Sequence, residues 1–286
     1  MFDSATKPST LARCLAQQST TNDLLARLIY EQARSSPRFQ DSKRLLGAGF
    51  KVYSQHDEDG IIEEIFRRIG TTDRFFVEFG VGDGLENCTT YCLLKGWRGV
   101  WIDGSAACYQ GVLQNLDFLI RDKTLKMLYS FITAENIEEL FRSQQVPPEF
   151  DLLSIDIDRN DYWIWKAIEA YRPRVVAIEY NASWKQTAAC VVPYDSSSTW
   201  DGVTNYYGAS MKALELLGAQ KGYSLVGCNF TGVTCFFVRN DLLGSHFEAP
   251  FTSENHFEPA RYFVRMPNGH APGFGPVRHI TPDSLG

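Results

Sequence analysis

The chain has 286 residues, a formal charge of −6 and a pI near 5.4, with 44% hydrophobic and 22% charged residues. Those proportions suit one α/β core with appendages and exclude a fibrous or disordered chain, while the acidic balance disfavours a nucleic-acid partner, which needs a basic face. No apolar run nears the roughly 20 residues of a membrane span, the first residues lack a signal peptide's apolar stretch, and the seven cysteines form no CxxC pair; the expectation is no membrane partner, reduced thiols and a cytoplasmic address.

In chain order, residues 1–48 read as a helical extension. Within it, residues 22–34 place Leu24, Leu25, Leu28 and Ile29 at helical spacing behind Asn22 as a helix cap. Such a helix either packs on its own domain or acts as a homodimerisation arm. Residues 49–243 alternate between helix and strand. A helix over 59–69 precedes an apolar strand at 75–79. Further strands are expected at 99–102, 125–129, 152–157 and 175–180, with helices near 86–95, 106–116, 134–143 and 161–170. That rhythm predicts an α/β fold with a Rossmann-like, doubly wound, mostly parallel sheet. After a helix at 210–220, strands at 223–228 and 234–239 flank Asn229, Phe230, Thr231 and Gly232, so the sheet should end in an antiparallel hairpin. Residues 244–286 hold six of the twelve prolines and no clear period, which predicts an irregular flap.

The most informative stretch is VEFGVGDG at 77–84, three glycines at alternate positions after a buried strand. Glycine there lets backbone approach a ligand closely. The spacing is G-x-G-x-G and not the G-x-G-x-x-G of a pyrophosphate site. The acidic Glu78 beside it instead suits a methionine-derived ligand with its ammonium and sulfonium. A second strand ends at Asp103, where doubly wound nucleotide sites place a carboxylate for the ribose hydroxyls; its alternative is a helix cap ahead of Ser105.

A third group is SIDIDRND at 154–161, followed by IEYN at 178–181, at the expected carboxyl ends of the fourth and fifth strands. Converging acids repel unless they hold a cation, share protons or face a positive substrate. Asp156 and Asp158 are therefore the candidate catalytic groups, and Asp156, Glu179 and Asn181 a candidate site for Mg²⁺ or Mn²⁺. The alternative is that Asp158 and Asp161 cap a helix while Glu179 pairs with Arg159 or Lys185. The insertion at 182–208 carries Trp184, Tyr194, Trp200, Tyr206 and Tyr207, aromatic faces suited to a sugar or other small polar acceptor. None of the five histidines has zinc-like spacing; His56 precedes the core and the other four lie in the tail, where one would serve as a base if the tail covers the site.

The blocks YSQHDEDGII (53–62), FFVEFGVGDGLENCT (75–89), GWRGVWID (96–103), LLSIDIDRNDYWIW (152–165) and VVAIEYNASW (175–184) together resemble the FkbM-like methyltransferases over about residues 50–240. The resemblance implies a class I methyltransferase fold, S-adenosyl-L-methionine as donor, and O-methylation of a sugar or natural-product hydroxyl. Carried over residue by residue, Glu78, Gly80, Gly82 and Asp103 line the donor, Gln55 and Asn87 neighbour it, and Asp156 stands at the transfer site. A strand-four aspartate with a strand-five acid and Asn resembles the metal site of metal-dependent O-methyltransferases, although here Tyr180 separates Glu179 from Asn181. Arg159 also departs from the family's IDIDGND block, placing a cation beside the acids. Rival readings are another metal-dependent or adenosylmethionine-using enzyme on the same fold, and a non-catalytic binding protein.

Overall fold

The computed structural model describes residues 10–261, 278–281 and 284. Residues 1–9 and most of the expected flap beyond 261, with His270 and the side chain of His279, lie outside the described residues. Helix α1 (Thr10–Arg34) and the short α2 (Pro37–Gln40) come first. They are followed by α3 (Glu58–Ile69), β1 (Phe75–Phe79), α4 (Thr90–Leu94), β2 (Arg98–Asp103), α5 (Ala106–Arg121) and β3 (Leu125–Tyr129). Then come α6 (Ile137–Ser143), β4 (Glu149–Ile155), α7 (Asp161–Ala167), β5 (Arg172–Glu179) and a two-residue β6 (Cys190–Val191). Helix α8 (Met211–Gln220), β7 (Tyr223–Cys228), β8 (Thr234–Arg239), α9 (Ser253–His256) and β9 (Arg278–His279) complete the chain.

Seven strands form one sheet in the order β3-β2-β1-β4-β5-β8-β7, parallel throughout except for β8, which runs antiparallel to β5 and β7. This is the Rossmann-like, doubly wound sheet with a closing hairpin that the strand rhythm predicts, and its order agrees with the class I methyltransferase fold that the resemblance implies. The strands are apolar on both faces because helices cover both. Phe75, Val77 and Phe79 of β1 meet Phe141 of α6, Tyr162 of α7 and Leu214 of α8, while Phe76 and Trp101 turn to the other core with Ile61 and Ile65 of α3 and Val112 of α5. Strand order reverses between β1 and β4, and the crevice at the carboxyl ends of such neighbours is where open α/β sheets bind ligands.

Some boundaries differ from the sequence reading. Helix α1 begins at Thr10, so Asn22 lies inside it and is no cap; no glycine or proline interrupts residues 10–34. Leu24, Leu25 and Leu28 are 56%, 52% and 65% exposed, and contact with the body comes from Ile29, Tyr30 and Ala33 against Phe39, Leu46 and Phe230. Strand β4 stops at Ile155, two residues short, which leaves Asp156 and Asp158 in a loop. The described part of the tail does not cover the crevice. Glu258 accepts from Arg38 Nε at 2.7 Å and from Arg261 at 2.8 Å, and its carbonyl accepts the Tyr180 hydroxyl at 2.7 Å, which ties the tail to the N-terminal segment and to β5. No helix among the described residues is long and apolar enough to cross a membrane.

Candidate active site

A cavity of about 970 Å³ opens at the carboxyl ends of β1, β2, β4 and β5. Gly80, with φ of +77°, donates its amide to Ile102 O, and a β-carbon there would sit 1.4 Å from the Asp156 carbonyl. Only glycine lets the ends of β1 and β4 come that close. Gly82, with φ of +57°, has nothing within 4 Å of an added β-carbon, so bare backbone faces open space. Asp103 closes this end: one carboxylate oxygen accepts from Gly82 N at 3.2 Å and the other from Ser105 N at 2.7 Å. Burial raises its pKa, and the amide donors oppose that rise. The cap of α5 is Ser105, whose hydroxyl accepts from Cys108 N, so Asp103 lines the cavity as expected.

Glu78 also lines the cavity, but its carboxylate is already occupied. It accepts from Asn87 Nδ2 and Cys88 N at 2.8 Å, Thr89 N at 3.0 Å, the Thr89 hydroxyl, and Ser154 Oγ at 3.1 Å. Glu78 thus folds residues 87–89 into the wall, which shortens α4 relative to the helix expected from residue 86. Asn87 joins through this bond and accepts from the Thr90 hydroxyl. Gln55 and His56 line the opposite lip. Their loop is pinned by buried Asp59, whose Oδ2 accepts three successive amides, Val52, Tyr53 and Ser54, at 2.6–2.9 Å. Glu58, missed by the sequence reading, lines the cavity and accepts from Asn229, Thr234 and the His56 amide.

On the far side, Asp156, Asp158 and Glu179 each offer an oxygen within 4.8 Å of the others. Asp158 joins through a left-handed backbone, φ +66°, an unusual conformation that Asp tolerates better than most residues. Burial first, then the neighbouring acids, push Asp156 and Glu179 well above the ordinary carboxylate range; burial raises Asp158 as well. Asp161 is pushed up to about 7 by burial, against the Ile157 amide it accepts at 2.8 Å. Among the described residues no Lys or Arg forms an ion pair with any of the three acids. Arg159 instead sits over the Tyr206 ring, its guanidinium carbon 5.7 Å from the centroid, so neither it nor Lys185 pairs with Glu179.

Asn181 does not belong to this cluster. It is fully buried, donates to the carbonyls of Asn205 and Tyr207 at 2.9 and 3.0 Å, and accepts Ser183 N. The chain leaves β5 at Glu179, so strand alternation no longer carries Asn181 to the cavity side. Of the five loop aromatics, Trp200 and Tyr207 line the cavity, their rings 5.0 Å apart and the Trp200 indole N–H bonded to Thr204 O at 2.6 Å. Trp184, Tyr194 and Tyr206 are not cavity-lining residues. Tyr194 bonds Glu135 and the Ala134 amide, and Tyr206 holds Arg159. Ser198, Thr199 and Phe131 line the cavity without having been singled out; loop residues carry no period that would reveal them. His256 is buried against Glu248 O, with its pKa lowered to about 4 by burial, and neither it nor His246 lines the cavity.

No family model matches the chain, and no curated protein does. Among solved structures, the METTL16 methyltransferase domain is 14% identical over 43% of this chain and 51% of that one, at a TM-score of 0.33. The N-terminal domain of EvdMO1 with SAH bound is 13% identical, covering 74% and 94%, at 0.40. The glycopeptide N-methyltransferase MtfA, complexed with S-adenosyl-L-methionine, is 12% identical, covering 62% and 86%, at 0.38. The chain thus spans about half of the first and nearly all of the second. Likenesses this loose leave the chemistry to be read from the site's own residues.

Proposed function

We propose that the chain is a methyltransferase that uses S-adenosylmethionine to methylate a hydroxyl of a small polar acceptor, sugar-like or natural-product in character. The observation that carries the reading is that one cavity, at the switch point of the sheet, joins a glycine loop, a strand-end aspartate and a group of converging acids. The donor residues fit the ligand. Gly80 and Gly82 give it bare backbone, Asp103 keeps lone pairs on both oxygens for ribose hydroxyls, and the negative field of Glu58 and Glu78 suits its ammonium. Bound there, the donor supplies a methyl group on a positively charged sulfur.

The chain's own part is positioning and proton removal. Trp200 and Tyr207 cover the cavity and help to exclude water, and Asp156, with a raised pKa, accepts the acceptor's proton more readily than an ordinary carboxylate. Among the described residues the cavity wall has seven carboxylates, Glu58, Glu78, Glu86, Asp103, Asp156, Asp158 and Glu179, and no Lys or Arg. Phosphate is repelled by such a wall, which supports an acceptor other than nucleic acid. The free state of all seven cysteines fits a reducing compartment such as the cytosol. The test is isothermal titration with S-adenosylmethionine and S-adenosylhomocysteine. Micromolar binding lost in Asp103→Ala supports the reading, and absence of binding to the wild-type chain overturns it.

A further inference from the structure

We infer that a smaller cavity of about 180 Å³, lined by α3, α4 and the residues that lead into β1 and β2, is a binding site for a free apolar amino acid. It shares no lining residue with the large cavity. Its apolar wall is Ile62, Phe66, Cys92 and Trp97, all buried, with the Phe66 and Trp97 rings edge to face at 4.8 Å. A cavity of roughly 150 Å³ holds a benzene ring, so this one admits the side chain of leucine or phenylalanine. Burial, then the charge of Glu78, pushes the Cys92 thiol well up, so it packs here as a small apolar group.

Two charged side chains set the polar demands on an occupant. Asp59, 1% exposed, lines the cavity and has one oxygen, Oδ1, with no hydrogen-bond partner. Its other oxygen accepts the amides of Val52, Tyr53 and Ser54, which fixes the carboxylate and leaves Oδ1 for a donor that the fold does not supply. Arg74 lines the same cavity. Among the described residues it joins no ion pair, whereas Lys95, the other cation there, is held by Glu63 at 3.4 Å. Asp151 accepts the Arg74 amide at 2.7 Å and holds its backbone at φ +54°, a conformation uncommon for a residue with a β-carbon. A hydrocarbon leaves both charges unanswered, and a simple amine answers only one. An α-amino acid brings an ammonium for Asp59, a carboxylate for Arg74 and an apolar side chain for the wall. Because Asp59 also holds the loop that leads to Gln55 and His56, an occupant bears on one lip of the large cavity.

The test reads amino-acid uptake with no methyl donor present, so this inference and the proposed function can each fail alone. The probes are L-phenylalanine and L-leucine, titrated into the full chain by calorimetry. One per chain is expected. L-Phenylalanine should bind about ten-fold or more tighter than 2-phenylethylamine, which lacks the carboxylate, and 3-phenylpropanoate, which lacks the ammonium. Asp59→Asn keeps an oxygen for the three amides and sets a donor in place of Oδ1, and Arg74→Gln removes the guanidinium; each should weaken uptake about ten-fold or more. Arg74 is exposed, so Arg74→Gln should melt with the wild type, which separates lost uptake from lost folding. Asp158→Asn, in the large cavity, should leave uptake unchanged. No uptake of either probe by the wild-type chain at millimolar concentration, or uptake undiminished in Arg74→Gln, overturns the inference. So does equal binding of the amine or the acid, or uptake lost in Asp158→Asn.

Discussion

Two glutamates, Glu78 buried and Glu179 half-buried, stand at the ends of two strands of one sheet and have opposite surroundings. Glu78, on β1, accepts five hydrogen bonds, while Glu179, on β5, has one oxygen sealed with no partner and two aspartates beside it. Both keep carboxylate oxygen away from solvent, so that alone does not mark a functional carboxylate. What separates them is the supply of donors: a satisfied acid holds the wall, and an unsatisfied one is available for substrate, proton or ion.

The largest expected effect follows from Glu78. Glu78→Ala strands five donors and should lower unfolding free energy by about 3–5 kcal/mol in denaturant titration. Glu179→Gln should leave stability equal or higher while reducing methyl transfer about a hundred-fold, measured as kcat with a competent acceptor. If the two variants behaved alike, the contrast between them would collapse. Asn181→Ala should cost about 1–3 kcal/mol by releasing the carbonyls of Asn205 and Tyr207.

Asp57 offers a pH test away from the cluster. Burial, then the charge of Glu58, raises its pKa from 3.8 to about 7. Its neutral form is the one the fold favours, so the stability it contributes is complete below about pH 4 and is lost as pH rises through about 7. Melting temperature should therefore fall across that window, and Asp57→Asn should flatten the profile. Smallest, Trp200→Ala should raise the acceptor's KM several-fold with little change in S-adenosylhomocysteine affinity, because it lines the cover and not the glycine loop.

The sheet was legible because its strands are short, largely apolar runs set off by turn residues: 75–79, 125–129, 223–228 and 234–239 agree with the structure to the residue. The glycine-loop end of the cavity was legible for a related reason, since Gly80, Gly82 and Asp103 follow directly from strand ends. The acid end was only half legible. Asp158 reaches the acids through a left-handed backbone, and Asn181 turns away after the strand has ended, neither of which side-chain alternation encodes. Of the loop aromatics Trp200 and Tyr207 line the cavity, while Tyr194 and Tyr206 are oriented by Glu135 and Arg159, distant in sequence.

The central claim is that the crevice between the glycine loop and the acids holds the methyl donor. A crystal structure of the chain soaked with S-adenosylhomocysteine tests it most directly. The account predicts ribose hydroxyls on Asp103, backbone of Gly80 and Gly82 against the ligand, and the sulfur directed toward Asp156 beneath Trp200. An empty crevice at saturating ligand, or a ligand bound with its ribose away from Asp103, would contradict it.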